Sequence, residues 1–316
     1  MRISGVMGHP MYDLVIIGGG PAGLTAGIYG SRCGLRTLIL EKGKVGGALF
    51  EVPWIDNYPG FENVAGQRLL ERFEAHARRY SEIKEFTEVT GVEKLGDGFR
   101  LVAGDGEYRA SALILATGAS RKKLGVKGES EFSGKGVSYC PMCDGYSFRG
   151  KNVAVVGGGD AAVVDAIFLR DMGCRVTLIH RRERLRAEVA NVKALQNVEL
   201  CLNSVVEEIV GDRFVDGVVI KDVLNGTRRK IQVSGVFISV GTEPNSSIAK
   251  ILGANINNEG YVVVDRNQRT NVEKFYAAGD VTGGARQVVV ACAEGAVAAT
   301  SAFEDLKHPY WSQRGV

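Results

Sequence analysis

The sequence has no uninterrupted apolar run of the length that spans a bilayer. Its most apolar late stretch, Val288–Phe303, is broken by Glu294 and Gly295 and is expected to be a buried helix. Met1–Pro10 has no long apolar core, so it does not read as a signal peptide. Cysteine is scarce, with six in 316 residues, and only Cys140 and Cys143 lie close together. That is too few for a disulfide-stapled scaffold and fits a cytoplasmic protein with one chemical dithiol. The four histidines have no paired spacing that would suggest a metal centre. A formal charge of only +3 gives no electrostatic footprint for nucleic acid or a membrane surface. No low-complexity segment or long linker interrupts the chain, whose length suits one to three domains.

What the chain does have is glycine, 42 residues of it, and an internal repeat. Asp13–Lys42 and Asn152–Arg181 align without a gap, 139 positions apart, and each reads strand, glycine turn, helix, strand. In the first copy Gly18, Gly20 and Gly23 form G-x-G-x-x-G, with Pro21 and Ala22 opening the helix. Gly18 permits the tight turn, Gly20 lets backbone approach a pyrophosphate, and Gly23 allows close helix packing. Glu41 follows 18 positions after Gly23, where an acidic residue accepts a hydrogen bond from a ribose 2′-hydroxyl; Lys42 is next to it. A glycine turn used only for packing would not need that acid.

The second copy carries Gly157, Gly159 and Ala162 as G-x-G-x-x-A, with Asp160 and Ala161 between them. It ends on His180, Arg181 and Arg182, with Arg186 close behind. Arginines there accommodate a 2′-phosphate, a guanidinium being suited to bidentate phosphate contacts; the alternative is a solvated basic face. His180 reads as structural or as adenine-side, not as a catalyst. Two unlike dinucleotide sites in one chain describe a flavoenzyme reduced by NADPH.

Elsewhere the sequence predicts strands at Leu14–Ile17, Thr37–Leu40, Ala112–Ala116, Gly235–Val240 and Tyr261–Val264. Helices are expected from Gly66 to Tyr80 and from Gln287 onward, a turn at Ala277–Asp280, and alternating short strands across Ile83–Arg109. The fold class is α/β: two Rossmann-like, three-layer ββα dinucleotide-binding domains, the second inserted into the first. The expected boundaries put residues 1–122 and 246–316 in the first domain and 123–245 in the second. Cys140-Pro141-Met142-Cys143, directly ahead of Asp144, can close a small disulfide ring or supply half of a zinc site.

These pieces resemble the low-molecular-weight, flavin-dependent thioredoxin reductases of bacterial and archaeal type. The resemblance runs from Tyr12 to about Leu306, on GGGPAG, DNYPGF (Asp56–Phe61), ATGA, CPMCDG, GGGDAA, HRRERLRA, GTEPN, YAAGDV and RQVVVACAEGAVAA. It implies FAD at the first glycine turn, together with Gly47, Ala48, Asn57, Thr117 and Gly118. Gly279 and Asp280 would meet the ribityl chain, and Arg286, Gln287 and Val288 the isoalloxazine side. NADPH belongs to the second turn and its arginines. The resemblance also implies that Cys143 faces the flavin, Cys140 attacks the partner, Asp144 assists proton transfer, and one domain rotates between the two half-reactions. A homodimer and a thioredoxin or glutaredoxin-like partner come with it. Two positions depart from the pattern: Ala48 where a glutamine is usual, and Val164-Asp165 where Glu-Glu often occurs. The second leaves open another hydride donor, such as a reduced deazaflavin. A peroxidase-associated partner and a non-catalytic flavin or NADPH sensor are the remaining alternatives.

Overall fold

β1 (Met11–Ile17) leads through the first glycine turn into α1 (Pro21–Arg32), and β2 (Thr37–Leu40) returns parallel to β1 with Leu14 opposite Thr37. This is a computed structural model that describes residues 11–52, 55–104 and 106–309, so the expectations for Met1–Pro10 lie outside the described residues. Leu14–Ile17 are all buried because apolar groups cover both faces of the sheet. Strand alternation sends Leu14 and Ile16 into one core with Leu24, Ile39 and Ile114. Val15 and Ile17 enter another with Leu38, Leu40 and Leu113.

After α2 (Gly66–Ala77) the chain adds β3 (Glu82–Lys84) outside β2, then β4 (Val89–Lys94), β5 (Phe99–Ala103) and β6 (Gly106–Leu115). The separate strand that the sequence predicts at Ala112–Ala116 is instead the second half of β6. Its first half closes a hairpin with β5, Arg100 opposite Arg109, and its second half runs parallel beside β1, Leu14 opposite Ala112. The sheet order is β3-β2-β1-β6-β5-β4.

β7 (Ala119–Arg121) then carries the chain into the inserted segment. There β8 (Val137–Ser138), α3 (Pro141–Asp144), β9 (Asn152–Gly157), α4 (Asp160–Asp171), β10 (Arg175–Ile179), α5 (Val189–Lys193) and β11 (Glu199–Cys201) follow. α4 occupies the residues of α1 shifted by the repeat offset of 139. An antiparallel sheet of β12 (Ser204–Gly211), β13 (Val215–Asp222) and β14 (Arg228–Gln232) precedes β15 (Gly235–Ser239). The parallel sheet here is ordered β11-β10-β9-β15-β8. β16 (Thr242–Pro244) leaves the segment paired with β7, so the two chain crossings form one short ribbon.

The return adds α6 (Ser247–Ile251), β17 (Phe275–Ala277), which pairs with β6, and α7 (Val288–Lys307). Gly295 of α7 is required by contact: a Cβ there would collide with the Ala22 carbonyl of α1, so the two helix backbones touch. The strand predicted at Tyr261–Val264 is only a bridge between Ile256 and Val262, because the Val262 N–H goes to the Val281 carbonyl. The chain divides into two compact units after Ser120 and after Glu243. None of the described helices is long and apolar enough to cross a membrane.

Candidate active site

The first glycine turn is shaped for a pyrophosphate. Gly18 has φ of 110°, and a Cβ on it would collide with the Ala116 carbonyl; one on Gly23 would collide with the Gly18 carbonyl. Gly20 caps α1 with no side-chain hydrogen bond, leaving the first-turn amides to a ligand. Beside Gly20 the space is open as far as the Gly47 Cα, 3.9 Å from where a Cβ would stand, so any side chain at position 20 would fill this cradle. Glu41 is fixed by two amides, Gly19 N–H to Oε2 at 2.7 Å and Gly43 N–H to Oε1 at 2.9 Å. Its remaining lone pairs suit a ribose hydroxyl, and Lys42 beside it is exposed.

Further groups lie in the same unit. Asn57 Nδ2 donates to Gln287 Oε1 at 3.0 Å, beside an open cavity of about 620 Å³ lined by Asp56–Glu62. Thr117 and Asn245 bond reciprocally, Oγ1 to the Asn245 carbonyl at 2.8 Å and Nδ2 to the Thr117 carbonyl at 2.9 Å, next to Gly118 at φ of 63°. Ala48 is exposed and offers no side-chain hydrogen bond where the related pattern has a glutamine. Gly279, at φ of 81°, turns the chain against Ala22 and leads into the half-buried Asp280. Burial pushes the Asp280 carboxyl up, against the opposing pull of Arg286. Arg286 and Gln287 are exposed and Val288 is half-buried. Glu294 lies within the RQVVVACAEGAVAA segment, where the sequence assigns it no role, yet it accepts the Gly279 N–H at 2.7 Å and the Thr282 hydroxyl at 3.2 Å. The one signal for it is a carboxylate inside an apolar helix, which must find buried donors.

The second turn repeats the design with a different edge. A Cβ on Gly157 would collide with the Ser239 carbonyl, while Gly159 caps α4 without a side-chain bond and faces open space. Ala162 is buried beneath Gly157 and Ala161 is exposed. His180 is buried against Gly158, and its Nε2 lies 3.1 Å from the Arg184 carbonyl, so it supports the turn from below. Arg181, Arg182 and Arg186 are exposed. Burial, with the nearby charges of Arg182, Arg186 and Arg181, pushes His180 down from its ordinary value, against the opposing bond to the Arg184 carbonyl. The Arg186 N–H donates to the Gly158 carbonyl at 2.6 Å. Asp160 Oδ1 accepts from Glu188 N at 2.7 Å and Asn191 Nδ2 at 2.8 Å, tying the arginine-bearing arm to the start of α4. Asp165 is buried and paired with Arg121 at 3.3 Å, and Val164 beside it is half-buried.

Cys140 and Cys143 form a disulfide at the start of α3. Cys140 is 9% exposed, whereas Cys143 and Asp144 are exposed. The Cys143 N–H donates to the Cys140 Sγ at 3.1 Å, and Ser138 Oγ donates to Asp144 Oδ2 at 2.6 Å. Among the described residues no group of His, Cys, Asp and Glu is arranged to hold a metal ion.

The loop is anchored from behind by Glu129, which the sequence does not reveal. It is 2% exposed and accepts the Leu124 and Gly125 amides at 2.8 and 2.6 Å and the Tyr139 hydroxyl at 2.6 Å. Burial raises its carboxyl, but these donors outweigh it and hold the group below its ordinary 4.5. A carboxyl lowered in the folded state contributes stability that is present above the unfolded value and lost as pH falls through the folded one. We therefore expect Glu129→Gln to destabilise the protein at pH 7 and the difference from wild type to shrink as pH falls below 4.5. Denaturant titrations at several pH values check this; a constant difference would refute it.

The model of the pyridine nucleotide-disulphide oxidoreductase family matches residues 12–295. The chain belongs to that family of oxidoreductases. It is similar to the thioredoxin reductase of Bacillus subtilis strain 168, 40% identical over 297 residues, covering 92% of this chain and 93% of the relative. It is 41% identical over 306 residues to that of Listeria monocytogenes, covering 94% and 95%. The crystal structure of T. acidophilum thioredoxin reductase superposes with a TM-score of 0.91 at 41% identity, covering 93% of this chain and 98% of that one. The Lactococcus lactis enzyme in its FR conformation gives 0.89 at 36% identity, covering 94% and 100%. FAD and NADPH are the cofactors, and the two glycine turns leave open backbone of the kind a dinucleotide needs.

Proposed function

We propose that the protein is an NADPH-dependent thioredoxin-disulfide reductase, with FAD in the unit that starts and ends the chain and NADPH in the inserted unit. The observation that carries this reading is the Cys140–Cys143 disulfide lying in the same unit as the G-x-G-x-x-A turn and its arginine arm. Bound FAD supplies hydride acceptance from NADPH and delivery of two electrons to the disulfide. The chain's own part is to orient both dinucleotides and to move protons at the dithiol. Once reduced, the Cys140 thiolate attacks a thioredoxin disulfide, forming a mixed disulfide and releasing one partner sulfur, which takes a proton. The Cys143 sulfur then attacks Cys140, restoring the internal disulfide and releasing the second partner thiol. Asp144 takes up and gives back a proton in these steps. A cytoplasmic homodimer is the assembly and setting that go with this reading.

The purified protein should be yellow, bleach on anaerobic addition of NADPH, and regain its colour when oxidised thioredoxin is added. A protein that bleaches but regains no colour with thioredoxin would exclude that partner. A folded, colourless protein that takes up no FAD would end the flavoenzyme reading.

A further inference from the structure

The geometry points to Ser138 as the positioning residue that holds Asp144 and the Cys140 backbone in one register for proton transfer at the dithiol. This inference rests on the dithiol reading above. Ser138 ends β8 and is 5% exposed, so its hydroxyl must find partners within the protein. It finds three. The hydroxyl proton goes to Asp144 Oδ2 at 2.6 Å, and the oxygen accepts the Cys140 N–H at 3.0 Å. The Cys140 carbonyl, at 3.3 Å, is a second and longer acceptor for the same proton.

A hydroxyl has one proton, so the two acceptors compete for it. An ionised carboxylate wins, because hydrogen bonds to charged acceptors are the stronger ones. When Asp144 is protonated the Ser138 proton can turn to the Cys140 carbonyl, and no donor is stranded in either state. One buried hydroxyl therefore follows the protonation state of an exposed carboxylate and passes the change to the backbone of the attacking cysteine. Asp144 is otherwise a solvent-exposed side chain on a four-residue helix, where several rotamers are open to it. The bond to Ser138 selects one of them. No spacing rule in the sequence marks a serine two positions before a cysteine, so this role emerges only from the fold.

The test follows the chemistry of the dithiol itself, apart from NADPH and thioredoxin. The holoenzyme is reduced with dithiothreitol, freed of reductant anaerobically, and alkylated with iodoacetamide across a range of pH. The parallel measurement is single-turnover transfer to oxidised thioredoxin over the same range. Asp144→Asn identifies the limb of the pH profile that belongs to that carboxylate. Ser138→Ala should slow transfer about tenfold, the size expected for one lost hydrogen bond to a charged group. It should also alter the limb that Asp144→Asn identifies, because the carboxylate loses the hydroxyl that fixes its rotamer. Ser138→Thr keeps the hydroxyl on a β-branched residue suited to a strand and should restore the wild-type profile. Tyr139→Phe loosens the neighbouring anchor to Glu129 and should leave the limb in place. Should Ser138→Ala lower the rate equally at every pH, or should the threonine variant fail to rescue the profile while folding normally, the positioning role is overturned. If wild type itself transfers nothing to thioredoxin, the partner assignment fails, while the alkylation profiles still decide the role of Ser138.

Discussion

Cys143→Ser protein is expected to capture a thioredoxin through Cys140, and Cys140→Ser protein to capture none. The partner is a single-cysteine thioredoxin activated as its mixed disulfide with thionitrobenzoate, so that capture releases one coloured thiolate per adduct. Two physical criteria oppose each other here. Cys143 is the exposed sulfur and Cys140 is 9% exposed, so access alone favours Cys143. The Cys140 Sγ, however, accepts the Cys143 N–H at 3.1 Å, a contact that stabilises a thiolate. That donor is backbone and survives the serine substitution. We expect reactivity to decide the outcome, with a movement that uncovers Cys140 preceding attack. Both single variants should lose multiple turnover to background, since neither can close the internal disulfide. Mass spectrometry of the adduct locates the linkage: capture through Cys143 reverses the roles, and sustained turnover by either variant removes the dithiol from the mechanism.

Replacing the arginine arm should change the choice of nicotinamide more than it changes the fold. Arg181, Arg182 and Arg186 are exposed, and the arm is held by the Arg186 N–H on the Gly158 carbonyl and by the Glu188 N–H and Asn191 Nδ2 on Asp160. A hydrogen bond to a charged group is worth roughly 1.5–3 kcal/mol, so each arginine exchanged for alanine should cost about 10- to 150-fold in NADPH over NADH preference. Thermal stability should barely change, because exposed side chains contribute little to it. The measurement is kcat/KM for both dinucleotides. Equal efficiency with NADPH and NADH in wild type would make the arm a solvated face. Failure of both would point to a different donor, and Val164, which puts a valine in place of a carboxylate on α4, would be the residue to examine.

The two βαβ units are legible in the sequence because their signals are local. An apolar run, a glycine turn and a helix with a fixed offset need no knowledge of distant residues, and α1 and α4 follow that offset. What stays hidden is set by partners far along the chain. β6 is continuous because its two ends pair with different neighbours, β5 and β1, and no window of sequence contains both. Tyr261–Val264 has strand composition but finds no ladder to join. Glu129, Glu294 and Ser138 are polar residues whose importance lies in the amides and hydroxyls they meet, which composition does not record. His180 stands in the motif for nucleotide contact, yet its ring is spent inside, under Gly158.

The close contact of α7 with α1 has a consequence for biosynthesis. The unit whose first strand leaves the ribosome earliest is the one completed last. β1, α1 and β2 are made within the first 40 residues, but β17 and α7 arrive only at Phe275–Lys307. The inserted segment is contiguous and can close its own core while the earlier one waits. Until Gly295 is synthesised, Ala22 and the part of α1 that packs on α7 have no cover, an open surface of the kind that chaperones hold and that aggregates recruit. A message truncated between the codons for Glu243 and Val288 would therefore yield a chain with a folded centre and an unfinished first unit.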